Sequence, residues 1–305
     1  MKFKIKLALG ILGLVGSLAL LPSQAAEMTV KTAVGEQTIP QDAKRIVVLD
    51  FGVADTLREL GATDRIVGIA KSTALPAYLA SFKADNFTNV GSLPEPAFEK
   101  INELKPDLII ASGRQQKMLD RFKEIAPVFY YQNDFTDFYS SLTNNIEILG
   151  KIVNQEALAT QKIKELENKI AQLSTLTKGK TALLVLVNEN RISAYGDSSR
   201  YGLVYQKFGF TPVDKNIKSS THGMSVGFEY ILDKNPDYLL VVDRTAAITE
   251  KKDNAQVVLE NALIKKTKAY QQQHIIYLDA ENWYLAFGGL KATEMMIDEL
   301  EAVIK

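Results

Sequence analysis

The hydrophobic positions of this chain form short buried-strand runs that alternate with segments of helical spacing. The strand-like runs of the first half are 45–50, 66–69, 108–111 and 128–131. The segments of helical character between them are 52–60, 77–82 and 118–125. This alternation is typical of an α/β unit with a parallel sheet. A small β-hairpin over 27–39, with its turn at Gly35 and Glu36, is predicted to precede that unit.

The second half repeats the alternation and predicts a second α/β unit. Its strand-like runs are 181–187, 192–195, 238–242 and 275–278, and its helical segments are 201–208, 256–263 and 290–304. Between the two halves, 136–176 shows apolar residues at helical spacing with charges between them. One long helix, or one interrupted near Gly150, is the simplest interpretation. A coiled-coil dimer segment is less favoured because no strict heptad is kept.

These patterns predict an α/β fold made of two Rossmann-like lobes joined by a single long helix. The predicted boundaries are an N-terminal lobe over 27–135, a linking helix over 136–176 and a C-terminal lobe over 177–305. Residues 1–25 are predicted to be a signal peptide, for the reasons given below.

One stretch occurs twice in the chain. Residues 98–114 reappear as 228–244 at one constant offset without a gap, and Phe, Glu, Ile, Pro, Asp and Arg recur at matching positions. Each copy predicts a short helix, a Pro-Asp stop, a buried strand, and then an arginine, Arg114 or Arg244. Ligands of open α/β sheets lie beyond the carboxyl ends of the strands. The repeat therefore predicts two similar lobes that each offer an arginine to a shared cleft; the alternative is a chance match that ends in solvated arginines.

The N-terminus has the pattern of a secretory signal peptide. Three lysines among the first six residues precede an apolar run over 7–21 and small residues over 22–25. The apolar run is short for a membrane span, and a cleavage site follows it. We expect a mature monomer that starts near Ala26 and is soluble in the periplasm of a two-membrane bacterium.

Composition narrows the class of function. The chain has 36 basic and 36 acidic residues, so no general affinity for nucleic acid is implied. Without the first 25 residues, acidic residues outnumber basic ones by three. The absence of cysteine excludes a lipid-anchored cysteine, disulfides and thiolate metal sites.

Three further residues are candidates for binding chemistry. His222 lies in a small polar loop beside Gly223 and is either a ligand or an exposed turn residue. Tyr284 follows the strand 275–278 and is either an oxygen donor of the kind that Fe(III) prefers or a packed aromatic. Arg200 lies in a strand-to-helix loop with several hydroxyl groups, where it is either a ligand or a surface charge. His274, at a helix–strand junction, is expected to be structural.

Three motifs carry a resemblance to a known family. They are Ser-Arg-Tyr-Gly at 199–202, Thr-His-Gly-Met-Ser-Val-Gly-Phe-Glu-Tyr-Ile at 221–231, and Asn-Trp-Tyr-Leu at 282–285. On these motifs the chain resembles the siderophore-binding periplasmic proteins of ABC importers, class III periplasmic binding proteins that take ferric catecholates such as enterobactin fragments and vibriobactin. The resemblance implies a transported ferric siderophore, no permanent cofactor, no enzymatic turnover, no nucleic acid and no membrane-embedded part.

The resemblance also implies residue roles. Arg114, Arg200 and Arg244 would hold the anionic ferric complex. His222 and Tyr284 would bind the iron directly when the siderophore supplies only four donor atoms. By the same resemblance, two glutamates at matching positions of the repeat would dock onto arginines of the permease; they are Glu99 and Glu229.

Simple chemistry agrees with the arginine assignment, and one alternative stays open. A ferric tris-catecholate carries three negative charges, and guanidinium groups suit it because they are weakly hydrated, planar and able to stack on rings. A haem or cobalamin carrier of the same fold, with His222 and Tyr284 as axial ligands, is the alternative. A zinc or manganese receptor would need more histidines than the two present. A hydrolase is disfavoured because no Gly-x-Ser-x-Gly elbow occurs.

Overall fold

The computed structural model describes residues 26–218, 220, 222–249 and 251–304. The predicted signal peptide over 1–25 lies outside these residues. The described chain begins with an antiparallel hairpin of β1 (Glu27–Thr32) and β2 (Gly35–Pro40), as the sequence predicted. Within the described residues, no helix combines the length and the apolar character needed to span a bilayer.

The first lobe is built on a five-stranded sheet in which every pairing is parallel. Its spatial order is β5-β4-β3-β6-β7, and its strands are β3 (Ile46–Val48), β4 (Ile66–Ile69), β5 (Thr88–Asn89), β6 (Leu108–Ala111) and β7 (Val128–Tyr130). The helices of this lobe are α1 (Phe51–Glu59), α2 (Phe98–Glu103) and α3 (Leu119–Lys123), with 3-10 turns at Thr63–Arg65, Ala77–Lys83 and Gly113–Met118. The predicted βαβ order is therefore present, although 77–82 is a 3-10 helix rather than an α-helix.

The second lobe contains a mixed sheet of six strands with the main order β11-β9-β8-β12-β13. The strands are β8 (Thr181–Asn188), β9 (Arg191–Tyr195), β10 (Thr211–Pro212), β11 (Met224–Val226), β12 (Tyr238–Asp243) and β13 (Ile275–Leu278). Strands β8, β12 and β13 are parallel, β10 pairs with β8, and β9 and β11 run antiparallel to their neighbours.

The helices of the second lobe are shorter than the hydrophobic pattern suggested. They are α6 (Leu203–Gln206), α7 (Phe228–Lys234), α8 (Arg244–Ile248), α9 (Asn254–Leu259) and α10 (Lys268–Gln271), with a 3-10 turn at Ile264–Lys266 and a π-helical turn at Glu281–Leu285. The predicted helix over 256–263 ends early because the Asn261 side chain accepts bonds from the Leu263 and Ile264 amides. Such a side-chain turn competes with helix continuation.

The sequence repeat is also a structural repeat. In both copies a short helix (α2 or α7) leads into an inner strand of its sheet (β6 or β12). Asp107 of the first copy accepts bonds from the Lys44 and Arg45 amides just before β3, at 2.7 and 3.0 Å. The matching Asp237 accepts one from the Thr181 amide at the start of β8, at 2.8 Å. The two aspartates thus perform the same task of fixing the start of a neighbouring strand.

Of the two interpretations of 136–176, the single helix is wrong and the helix interrupted near Gly150 is confirmed for this segment. It consists of α4 (Phe138–Ile152) and α5 (Glu156–Thr177), with a turn between them in which Asn154 adopts a positive φ of 55°. A Cβ on Gly150 would lie 2.8 Å from the Cβ of Ala159, so this glycine lets the two helices pack closely at the turn. The long helix that leads into the second lobe is therefore α5 alone.

The last helix, α11 (Leu290–Val303), packs back onto the first half of the chain. Although it follows the second lobe in sequence, it packs against α1 of the first lobe and against α5. The Ala292 amide donates a 2.9 Å bond to the buried carboxylate of Asp55, and the Leu290 amide donates to Thr56 Oγ1. The apolar side chains of α1, α4, α5 and α11 consequently form one continuous core. The lobe boundaries at 135 and 177 remain predictions.

Candidate functional site: a cleft between the lobes

A cleft of about 840 Å³ lies between the two lobes. It opens where strands of both sheets end, as the carboxyl-edge argument predicted. Its lining includes Asp50, Arg114, Gln132 and Asn133 of the first lobe, Asn188, Arg191, Ser193, Tyr195, Arg200, His222, Ser225 and Arg244 of the second, and Tyr284 and Phe287. All five residues predicted to bind ligand are among them.

The three predicted arginines converge on Tyr284. Arg244 Nε donates a 2.7 Å bond to the phenolic oxygen, while Arg200 Nη2 and Arg114 Nη2 donate to the Tyr284 carbonyl at 3.2 and 3.4 Å. The guanidinium carbons lie 5.5, 5.1 and 6.0 Å from the centre of the tyrosine ring, respectively. Positive charge from both lobes is therefore concentrated around one aromatic ring.

Two of these arginines stand at equivalent places because each begins a helical turn just after its strand. Arg114 lies in the 3-10 turn after β6, where Ser112 forms a capping box with Gln115. Arg244 is the first residue of α8, and the Asp243 side chain caps that helix through the Ala246 amide at 2.9 Å. Capping holds the backbone of each arginine at the cleft edge.

Arg200 reaches the same place from an irregular loop. Its neighbour Ser199 is buried and ties the loop together, since its hydroxyl donates to the Gly196 carbonyl at 2.6 Å and accepts from the Tyr201 amide. The Arg200 guanidinium carbon lies 5.0 Å from the Tyr201 ring and 5.4 Å from the Phe287 ring. Both contacts are cation–π interactions, which position the guanidinium without neutralising it.

The aromatic rings beneath Arg200 form a rigid floor. Tyr201 is fully buried and lies 4.9 Å from the Tyr195 ring, 5.4 Å from Phe287 and 6.4 Å from Trp283. Burial raises the pKa of Tyr201 and, although Arg200 opposes it, that of Tyr195. Both therefore stay neutral phenols near neutral pH and add no negative charge to the cleft.

Sequence reasoning missed two polar residues that hold the arginines. Asp50 caps α1 by accepting from the Gly52 and Val53 amides, and its other oxygen lies 3.9 Å from Arg114 Nη1. Asn188 Oδ1 accepts a 2.7 Å bond from Arg244 Nη1. Asn188 is the last residue of β8 and Asp50 lies two residues after β3, so the rule that identified the arginines applied to both.

His222 lies at the cleft as an exposed residue in front of β11. Gly223, which follows it, has a φ of 72°, and a Cβ there would lie 2.8 Å from the Tyr195 ring. A larger residue would thus push the histidine loop away from the sheet. His222 and Tyr284 line the same cleft, and their binding to a single iron ion remains a prediction. Among the described residues there is no group of three or more His, Cys, Asp or Glu side chains suited to a metal.

The remaining candidates lie outside the cleft lining. His274 stacks on the Tyr238 ring at 4.3 Å, and its Nδ1 lies 3.2 Å from the Asp237 carbonyl, which agrees with the structural role expected for it. Glu99 and Glu229 are both exposed in the first turns of α2 and α7. They present matching carboxylates, one on each lobe, and their docking role remains a prediction.

Comparison with known proteins places this geometry in context. The chain is 43% identical over 265 residues to the petrobactin-binding protein YclQ of Bacillus subtilis, covering 86% of this chain and 83% of that protein. It is 29% identical over 280 residues to the ferric-anguibactin-binding protein FatB of Vibrio anguillarum, covering 90% and 86% of the two chains.

Solved structures show the same architecture. The crystal structure of YclQ matches with a TM-score of 0.88 and 40% identity, covering 92% of this chain and 99% of that one. The periplasmic catecholate-siderophore binding protein VctP of Vibrio cholerae matches with a TM-score of 0.84 and 33% identity, covering 91% and 100%. The family model described as periplasmic binding protein matches residues 46–282, which include both sheets and the arginines Arg114, Arg200 and Arg244. The chain therefore belongs to the periplasmic binding protein family.

Proposed function

We propose that this protein captures a ferric catecholate siderophore in the inter-lobe cleft and delivers it to the permease of an ABC importer. The observation that carries the proposal is the convergence of Arg114, Arg200 and Arg244 on one ring from two lobes. The charge of a guanidinium group pairs with anionic oxygens, and its flat face packs on aromatic rings. A ferric catecholate offers both anionic oxygens and aromatic rings.

The Tyr284 contacts support the proposal in a second way. The hydrogen bonds of Arg200 and Arg114 go to the Tyr284 carbonyl, at 3.2 and 3.4 Å, which are long distances for charge-assisted bonds. Catecholate oxygens would be stronger acceptors for the same donors. For these two arginines, ligand binding therefore replaces long hydrogen bonds. The 2.7 Å bond from Arg244 to the Tyr284 hydroxyl is the shorter contact with which a ligand must compete.

The similarity to relatives suggests the first ligand to test. YclQ is described as a petrobactin-binding protein and VctP as a catecholate-siderophore binding protein. We propose petrobactin as the first candidate because the identity to YclQ is 43% over most of both chains. For siderophores that supply only four donor atoms, His222 and Tyr284 fill the two remaining positions on octahedral iron.

We propose that the protein works outside the cytoplasm and does not convert the siderophore chemically. The signal-like pattern over 1–25 directs export, and the mature chain is a soluble monomer without a lipid anchor. Glu99 and Glu229, one on each lobe, dock onto basic residues of the permease. The ferric siderophore is cargo, and no permanent cofactor is involved.

A binding titration tests the proposal. Trp283 is fully buried and lies 6.4 Å from Tyr201, which contacts Arg200, so its fluorescence should respond to an occupied cleft. We expect ferric petrobactin and ferric bis-catecholates to quench this fluorescence in a saturable way, with the visible absorbance of the ferric complex retained on the protein. Haem or cobalamin binding in place of ferric catecholates would overturn the proposal and favour the other carrier.

A further inference from the structure

We propose that Arg191 forms a second anion subsite in the cleft, which takes an anionic oxygen group of the ferric complex beyond those held by Arg114, Arg200 and Arg244. This inference rests on the proposed function, because it concerns how the cleft selects among ferric siderophores. Its ligand is chemically defined as a carboxylate or a further catecholate that belongs to the same complex.

Strand geometry places Arg191 on the cleft wall. Along β9, Arg191, Ser193 and Tyr195 alternate with Ile192 and Ala194, which lie in the core of the second lobe. Because successive side chains of a strand point to opposite faces, the first three share the face that lines the cleft. Arg191 is thus directed toward the ligand space by the same alternation that buries its neighbours.

The neighbouring strand links Arg191 to Arg244, one of the three predicted ligand-binding arginines. Asn188 of β8 pairs directly with Arg191 of β9, and residues directly opposite in antiparallel strands have adjacent side chains on one face. Asn188 also holds Arg244 through the 2.7 Å bond to Nη1. The wall therefore runs Arg244, Asn188, Arg191, and the Ser193 and Ser225 hydroxyls lie beside it on paired positions of β9 and β11.

Arg191 differs from the other cleft arginines in having nothing to hold it. Its side chain is exposed, and it makes no salt bridge, hydrogen bond or ring contact with the described residues. Arg114, Arg200 and Arg244 each contact Tyr284. A free guanidinium on a cleft wall retains all its donors for a ligand.

Charge balance supplies the reason for a fourth arginine. Arg114, Arg200 and Arg244 form a triad of positive charges. Asp50 lies 3.9 Å from Arg114 and offsets one of these charges. The triad with Asp50 is therefore one charge short of a complex with three negative charges. Including Arg191, the charged cleft-lining residues among those that the structure describes are four arginines and one aspartate, which matches such a complex.

The test uses three synthetic ferric probes that differ in charge and donor type. A four-donor bis-catecholate complex carries one negative charge, whereas a tris-catecholate and a bis-catecholate with an α-hydroxycarboxylate arm each carry three. We expect Arg191→Gln to weaken one or both of the highly charged complexes about three- to tenfold and to leave the bis-catecholate within about twofold. If the binding of only one highly charged probe is weakened, that probe identifies the group held by the subsite, either the third catecholate or the carboxylate.

Two control variants make the result specific. Arg191→Lys keeps the positive charge and should retain most of the affinity for the highly charged probes. Lys151→Gln removes an exposed charge of α4 and should leave the affinity for all three probes unchanged. The difference in affinity between wild type and Arg191→Gln for the highly charged probes should also decrease at high salt, because salt screens an exposed guanidinium. Thermal unfolding of each variant checks that the fold is intact.

The outcomes separate this inference from the proposed function. If wild type binds all three probes and the Arg191→Gln variant binds them with the same affinities, the subsite is overturned and the proposed function is not. Equal weakening of all three probes also overturns it, because a general field would then explain the effect. Wild type that binds none of the probes overturns both the subsite and the proposed function.

Discussion

Arg244 of the second lobe donates a 2.7 Å hydrogen bond from Nε to the phenolic oxygen of Tyr284. Tyr284 lies in the π-helical turn of the second lobe, and the segment that follows this turn is anchored to the first lobe. Tyr131 donates to the Gly288 carbonyl at 2.8 Å, and Asp55 holds the start of α11. Tyr284 therefore lies between Arg244 of the second lobe and Arg114 of the first, which donates to the Tyr284 carbonyl at 3.4 Å. A ligand that takes over these two arginine contacts would touch both lobes at once.

Removing any one arginine of the triad should weaken every ferric catecholate. We expect Arg114→Gln, Arg200→Gln and Arg244→Gln each to cost about 2–5 kcal/mol of binding free energy, because each leaves an anionic group desolvated without a partner. Fluorescence titration of Trp283 measures the loss. Arg121, which stacks on Phe98 outside the cleft lining, provides a matched control as Arg121→Gln. Unchanged affinity in any of the three variants would exclude that arginine from ligand binding.

His222 and Tyr284 should matter only for complexes that leave two iron positions open. We expect His222→Ala and Tyr284→Phe to weaken four-donor complexes and to leave six-donor complexes nearly unaffected, because a six-donor siderophore fills the octahedron itself. Tyr284→Phe should also lose part of the phenolate-to-iron absorbance while the fold is kept. Equal losses for both classes of ligand would mean that these residues line the cleft without touching iron.

The two exposed glutamates should be needed for transport and not for binding. We expect the double variant Glu99→Ala, Glu229→Ala to keep wild-type affinity in titrations and to lose uptake in cells that carry the importer. Both carboxylates lie outside the cleft lining, one on each lobe, so their loss should affect transport without affecting ligand binding. Wild-type uptake by this variant would contradict the docking role.

Asp55 should make the stability of the protein depend on pH. Burial raises the pKa of Asp55 to about 7, although the Ala292 amide and Arg58 oppose the shift. The unfolded chain releases this proton near pH 4, whereas the folded chain retains it until about pH 7, so the free energy of unfolding should fall as pH rises through that window. The contribution is at most about 4 kcal/mol.

Urea unfolding at pH 5 and pH 8 measures this dependence. Asp55→Asn carries no titratable group at the site, so its stability should change less between the two pH values than that of wild type. The substitution keeps the anchor of α11, since both residues can accept from the Ala292 amide. A pH dependence identical in the two proteins would rule out the proposed titration of Asp55.

Export should remove the first 25 residues. We expect mass spectrometry of the exported protein to give a chain that starts near Ala26, because the apolar run over 7–21 is followed by small residues at 22–25. An intact Met1 on the exported protein would contradict the signal-peptide prediction.

The sequence by itself determined the local elements and the positions of the ligand groups along them. Alternating short apolar runs specified two α/β units, and the repeat of 98–114 in 228–244 placed Arg114 and Arg244 just beyond two equivalent strands. These predictions depend only on residues close together in the chain. Helix and strand periods, and the rule that parallel strands end at one edge, are local or nearly local properties.

The tertiary structure decided which distant residues meet. The division of 136–176 into α4 and α5 depends on the close approach at Gly150, and the anchoring of α11 depends on Asp55, far away in the chain. The pairings of Arg244 with Asn188 and of Arg114 with Asp50 likewise follow from how the strand ends are brought together. Such contacts arise from packing between lobes and between strands, which periodicity in one segment does not encode. The cleft is therefore assembled from groups that the sequence identifies one at a time and that only the folded chain combines.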